Sequence, residues 1–150
     1  MKNSFPAPQI RPTSVADVGA MFHVRGAVGE NTMTTDELSA IGVTPDAISL
    51  AVSSSPCAWV ATVAEEVVGF AMVELESACL FALFVLPEHE GRGIGTELTH
   101  ACEQALFKRH TAAWLETAKG SRAARLYRHL GWGREVDVGG GDIRLEKRRE

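Results

Sequence analysis

Two spacings of apolar residues divide the chain into segments. Recurrence every three or four positions marks a helix with one buried face, and short unbroken or alternating runs mark strands. Ile10-Arg11-Pro12 reads as a first short strand. Ser14-x-x-Asp17 has the form of a capping box, after which Val18, Met21, Phe22 and Arg25 share a helical face ending within residues 26–29. Glu30-Asn31-Thr32-Met33 follows as a loop. Thr34-x-x-Glu37 opens another helix, with Leu38 and Ile41 inward and Gly42 as its stop. Thr44-Pro45 starts a third, with Ile48, Ala51 and Val52 on its inner face.

Ser53-Ser54-Ser55-Pro56 ends this helical region. Residues 57–64 read as a strand, Glu65-Glu66 as a turn, and 67–75 as the hairpin partner. Residues 78–86 are an apolar strand. Ile94, Leu98, Ala101, Cys102 and Ala105 then recur at helical spacing, and Lys108-Arg109-His110 suits the negative end of that helix's dipole. Residues 111–118 are strand-like around Trp114 and Leu115. Ser121 caps a last helix, with Ala123, Leu126, Tyr127 and Leu130 on one face and Gly131 as its stop. Residues 134–138 and 142–146, divided by three glycines, close the chain as a hairpin. Hairpins beside strand–helix–strand units predict an α/β fold with a mixed sheet.

Length and composition narrow the class. A chain of 150 residues is expected to form one domain over 10–150, preceded by a loose tail, 1–9, carrying Pro6 and Pro8. Hydrophobic content of 45% with 23% charged residues excludes a disordered chain. A net charge of -4 argues against a nucleic-acid or anionic-membrane partner and suits a cationic acceptor such as an amine. The apolar run 78–86 is too short to span a bilayer, and residues 1–9 lack a signal-peptide core. Cys57, Cys79 and Cys102 lack metal-ligand spacing and read as buried thiols of a cytoplasmic protein. The five histidines do not converge either, so no metal is expected.

One stretch carries chemistry. The strand ending Leu83-Phe84-Val85-Leu86-Pro87 passes through Gly91, Gly93 and Gly95 into a helix. Glycine permits positive φ and close approach of a ligand, while the first amides of a helix lack internal acceptors. Together they make an anion cradle, to which Arg92 adds a charge. No Gly-Lys-Ser/Thr follows, and Thr96 stands where a dinucleotide fingerprint needs glycine. On spacing alone, a turn that merely tightens the strand-to-helix connection is the alternative.

Glu90-Gly91-Arg92-Gly93-Ile94-Gly95 after this strand resembles the coenzyme-A loop of GNAT-type N-acetyltransferases, Gln/Arg-x-x-Gly-x-Gly/Ala. Gly93 and Gly95 match, and Glu90 departs from the Gln/Arg position. A second segment, Gly120 to Trp132, is similar to the family's Asn-x-x-Ala-x-x-Leu-Tyr-x-x-x-Gly-Phe. Ala123, Leu126, Tyr127 and Gly131 match, Trp132 replaces Phe, and Gly120 replaces Asn.

The resemblance implies a mixed, mostly antiparallel central sheet of about seven strands flanked by about four helices. It implies an acyltransferase using acetyl-CoA as cosubstrate, without metal, by direct attack of a primary amine and a tetrahedral intermediate. The pyrophosphate would lie on Glu90, Gly91, Arg92, Gly93, Ile94, Gly95 and Thr96. Backbone around Phe84 and Val85 would bind the thioester carbonyl. The pantetheine would run past Ser121 and Ala123, in a slot where strands 78–86 and 111–118 splay. Tyr127 would protonate the leaving thiolate. Glu116 is the candidate base, with water the alternative, while Glu30, Asn31 and Glu74 are candidates for the acceptor side. The acceptor would be a small-molecule or peptide amine, and the protein a homodimer. A silent acyl-CoA sensor is the second reading and an unrelated nucleotide-binding domain the third.

Overall fold

The computed structural model describes residues 6–28 and 34–150. Its core is built on the two most continuously buried strands, β2 (Ala58–Val63) and β3 (Glu66–Glu74). Residues 68–73 of β3 are buried without alternation, since α1 (Val18–Ala27) and α4 (Ile94–Phe107) both pack on this strand. The hairpin turns at Ala64 and Glu65, both at positive φ. The turn therefore sits one residue earlier than the pattern predicts, because Val63 pairs with Glu66.

Around this hairpin lie β1 (Gln9–Pro12), β4 (Cys79–Val85), β5 (Ala112–Ala118), β6 (Gly133–Gly139) and β7 (Asp142–Arg148). They form one seven-stranded sheet in the order β1-β2-β3-β4-β5-β7-β6. Every neighbouring pair is antiparallel except β4 and β5. The expected mixed, mostly antiparallel sheet is present, with five helices among the described residues.

The remaining helices are α2 (Thr35–Ala40), α3 (Pro45–Ser54) and α5 (Arg122–His129). Their starts follow the sequence signals. Thr34 Oγ1 accepts from Glu37 N at 3.1 Å, while Thr34 N donates to the Glu37 carboxylate at 2.8 Å. Thr44 and Ser121 cap α3 and α5 in the same way. Asp17 accepts from Ser14 N and is held by Arg11 at 2.8 Å, which keeps its carboxyl near a pKa of about 2.

Two inward assignments change. Leu38 is buried, but Ile41 is 65% exposed, because α2 ends at Ala40 and Ile41 lies past its last turn. On α4 the buried row includes Thr99, Glu103 and Leu106, while Ala101 and Ala105 are half-buried. Glu103 is buried for a reason outside its own helix. Its carboxylate accepts from Trp132 Nε1 at 3.0 Å and from Lys147 Nζ at 3.1 Å, and Lys147 also donates to Leu130 O at 2.8 Å.

Removing one partner of such a pair leaves a buried charge uncompensated. Lys147→Met should destabilise the protein by about 3 kcal/mol in urea denaturation. The double change with Glu103→Leu should recover most of that loss. A single variant as stable as the parent would show the pair to be dispensable.

All three cysteines are free and buried. Burial pushes the Cys79 thiol up to about 11 and raises that of Cys102 as well. No helix among the described residues is long and apolar enough to cross a membrane.

Candidate active site

The site originates in an irregularity of β4. Its register with β3 passes from Met72↔Ala82 to Val73↔Leu80, so Phe81 is an extra, bulged residue. On its other edge β4 pairs with β5 at a single position, Cys79↔Trp114, where Trp114 N donates to Ala78 O at 3.0 Å. Beyond that point the two strands part. A cavity of about 420 Å³ fills the opening, lined by residues 80–84 of β4, residues 116–118 of β5, and Ser121, Ala123 and Tyr127. This is the slot that the sequence resemblance implied.

Backbone alternation decides which peptides face it. Leu86 N donates to Val68 O at 2.8 Å, on the β3 side. Polar groups alternate along a strand, so the Phe84 peptide also turns to β3, and those of Leu83 and Val85 turn to the slot. Of the expected carbonyl-binding pair, Val85 is oriented to donate and Phe84 is not. Leu83 is the other slot-facing amide, a residue the motif alone did not single out. Phe84 contributes its ring, which packs on Phe70 at 5.4 Å between centroids.

The glycine turn leads out of β4 through the short helical turn Pro87–His89. Gly91 and Gly93 have φ of +79° and +83°, and a Cβ on either would meet nothing within 4 Å. Both serve a left-handed backbone facing open space. Gly95 is helical, and its missing Cβ would lie 3.0 Å from Leu126 Cδ2, so this glycine lets α5 approach α4. The first bond closing α4 runs from Glu97 N to Gly93 O at 3.0 Å, so the N–H groups of Ile94, Gly95 and Thr96 precede the helix's own ladder.

These residues line a second cavity of about 500 Å³, together with Glu90, Arg122, Arg125 and His129. It shares Leu83, Phe84 and Ala123 with the slot, so cradle and slot adjoin. The carboxylate of Glu90 is paired with Arg122 at 3.3 Å, which neutralises the departure from the family's Gln/Arg. Arg92 does not line the cavity. Its guanidinium donates to Pro6 O at 2.9 Å and lies 3.3 Å from His89 Nδ1. His89 is 6% exposed and lines the cradle. On α5, Arg128 pairs with Glu135 at 3.0 Å.

Tyr127 lies on the inner face of α5, 4% exposed, its ring 6.0 Å from that of Trp132. Burial raises its pKa well above the ordinary 10.0, so the hydroxyl keeps its proton. Among the other candidates, Glu116 lines the slot. Glu74 lies outside these cavities, accepting a hydrogen bond from Ser77 at the closed end of the β3–β4 hairpin. Glu30 and Asn31 lie outside the described residues. Among the described residues no cluster of His, Cys, Asp and Glu could hold a metal ion.

Comparison with known proteins adds independent support. No curated protein matches the sequence. Solved structures share the fold at low identity. PaiA N-acetyltransferase from Thermoplasma acidophilum, in complex with coenzyme A, is similar with a TM-score of 0.77 at 17% identity, over 96% of this chain and 100% of that one. YncA of Salmonella typhimurium, with acetyl-CoA, gives 0.68 at 18% identity, over 97% and 95%. Arabidopsis thaliana Naa50, bound to the bisubstrate analogue CoA-Ac-MVNAL, gives 0.68 at 14% identity, over 96% and 100%. A sequence profile for the acetyltransferase (GNAT) domain matches residues 54–134, which hold β4, the glycine turn, the slot and Tyr127. The chain belongs to the GNAT acetyltransferase family.

Proposed function

We propose that this chain is an N-acetyltransferase that moves the acetyl group of acetyl-CoA to a primary amine by direct attack. The observation that carries the reading is the glycine cradle adjoining the β4–β5 slot, which Tyr127 lines.

In this reading the pyrophosphate takes hydrogen bonds from the amides of the Gly93–Gly95 turn, where the α4 dipole adds partial positive charge. Arg125 supplies positive charge from the facing helix. The pantetheine extends through the slot past Ser121 and Ala123. The thioester carbonyl then lies at the Leu83 and Val85 amides.

Attack by the neutral amine nitrogen forms the C–N bond and moves the carbonyl electron pair onto oxygen, where an amide stabilises it. Collapse re-forms the carbonyl and breaks the C–S bond. The thiolate takes a proton from the Tyr127 hydroxyl, which solvent later restores. The nitrogen, positively charged once the C–N bond has formed, gives its extra proton to water or to Glu116, the sequence-derived candidate base that lines the slot. The buried, free cysteines support a reducing compartment, the cytoplasm.

The test is to incubate the protein with acetyl-CoA and a panel of amines, following free thiol and acetylated product together. Release of one thiol per acetylamine is expected. Saturable acetyl-CoA binding with no amine acetylated would make the protein an acyl-CoA sensor instead.

A further inference from the structure

A third cavity opens on the α1 side of β4. Met21 and Phe22 of α1, Leu38 of α2, Val43, Ile48 of α3 and Met72 of β3 contribute to it. Phe81, Ala82 and Phe84 line both this cavity and the slot, so the two meet at the bulged part of β4. Among the described residues its only ionisable lining group is Arg25, whose guanidinium stands 5.0 Å from the centroid of the Phe84 ring. Its volume is about 170 Å³. An apolar cavity of about 150 Å³ lined by Leu, Ile and Phe holds one benzene molecule.

We propose that this pocket holds an apolar group of the acceptor, which is therefore a primary amine bearing one aromatic ring or one branched aliphatic side chain. The inference rests on the transferase reading above and narrows it. Three observations converge. The pocket adjoins the slot at Phe84, where the acetyl group arrives, so its occupant presents an amine to the thioester. Its volume matches a single ring. Apart from Arg25 its described lining is apolar, which suits an uncharged side chain and disfavours acceptors carrying several ammonium groups, such as polyamines.

The experiment compares glycinamide, leucinamide, phenylalaninamide and spermidine as acceptors at saturating acetyl-CoA. It also measures calorimetric binding of phenylalaninamide to the protein–CoA complex. Small changes of apolar size in a hydrophobic pocket are worth about 10- to 200-fold. Leucinamide and phenylalaninamide should therefore exceed glycinamide in kcat/KM by at least about 10-fold, with spermidine the poorest. Val43→Phe, which fills the pocket from a loop, should collapse that preference. Ile48→Ala, which enlarges it, should move the optimum toward tryptophanamide, so the test survives if either variant fails to fold.

A flat profile, or spermidine as best acceptor, would overturn this inference and leave the transferase reading standing. Saturable phenylalaninamide binding that Val43→Phe abolishes, without turnover of any amine, would keep the pocket and overturn the transferase reading. Absence of both binding and turnover would overturn both.

Discussion

Gly93→Asp should raise the Kd for acetyl-CoA by more than about 100-fold in calorimetric titration. Charge-assisted hydrogen bonds contribute roughly 1.5–3 kcal/mol each, so losing two reaches that magnitude. The geometry makes the new side chain an occupant of the anion site. Nothing lies within 4 Å of a Cβ at position 93, and the residue immediately precedes the α4 amides. An aspartate there would accept from those amides itself and repel a phosphate. Sequence reasoning alone predicts an undisturbed fold for this variant, and the backbone modifies that expectation. At φ +83° a non-glycine residue costs about 1–3 kcal/mol, with aspartate among the more tolerant. A small fall in Tm should accompany the loss of binding. Wild-type affinity in a folded Gly93→Asp protein would place the phosphate site elsewhere.

Tyr127→Phe should lower kcat by about 100-fold, the low end for general acid catalysis, because a thiolate leaves moderately well without help. The ring remains packed against Trp132, and the hydroxyl makes no hydrogen bond within the described residues that its loss would break. Stability and acetyl-CoA affinity should therefore stay near those of the parent. The direction of the pKa shift sets the pH profile. An acid with the ordinary tyrosine value of 10.0 would impose a falling limb as pH approached it, whereas burial raises Tyr127 above that value. The wild-type rate should hold through pH 10, and Tyr127→Phe should lower the profile without changing its shape on that side. Undiminished kcat where chemistry limits turnover would reduce Tyr127 to a packing residue and favour the sensor reading.

The difference between these two sites and the apolar pocket follows from how far apart the contributing residues lie in the chain. The cradle is legible because its parts fall within a few residues: a strand end, glycines at φ near +80°, and a helix start. The helix caps at Thr34, Thr44 and Ser121, and the stops at Gly42 and Gly131, are local for the same reason. Side-chain partners from distant segments leave no such trace. Glu90 departs from the family motif, and only the position of α5 reveals Arg122 beside it. Arg92 reads as a phosphate ligand, yet its guanidinium bonds to Pro6, 86 positions away. At Gly69 a Cβ would come within 2.9 Å of Phe84 O, next to the slot, a contact between residues of neighbouring strands.

By itself, then, the amino-acid sequence determines the succession of elements, the glycine turn and the family. Periodicity, capping and glycine conformation act over four or five residues and are written in order along the chain. Tertiary structure alone decides the bulge at Phe81, the single registered pair between β4 and β5, the pairing of Glu103 with Lys147, and the apolar pocket above Phe84. Each depends on surfaces brought together from separate segments, and the same apolar residues that signal a buried helix face also line a cavity when the opposing strand bends away.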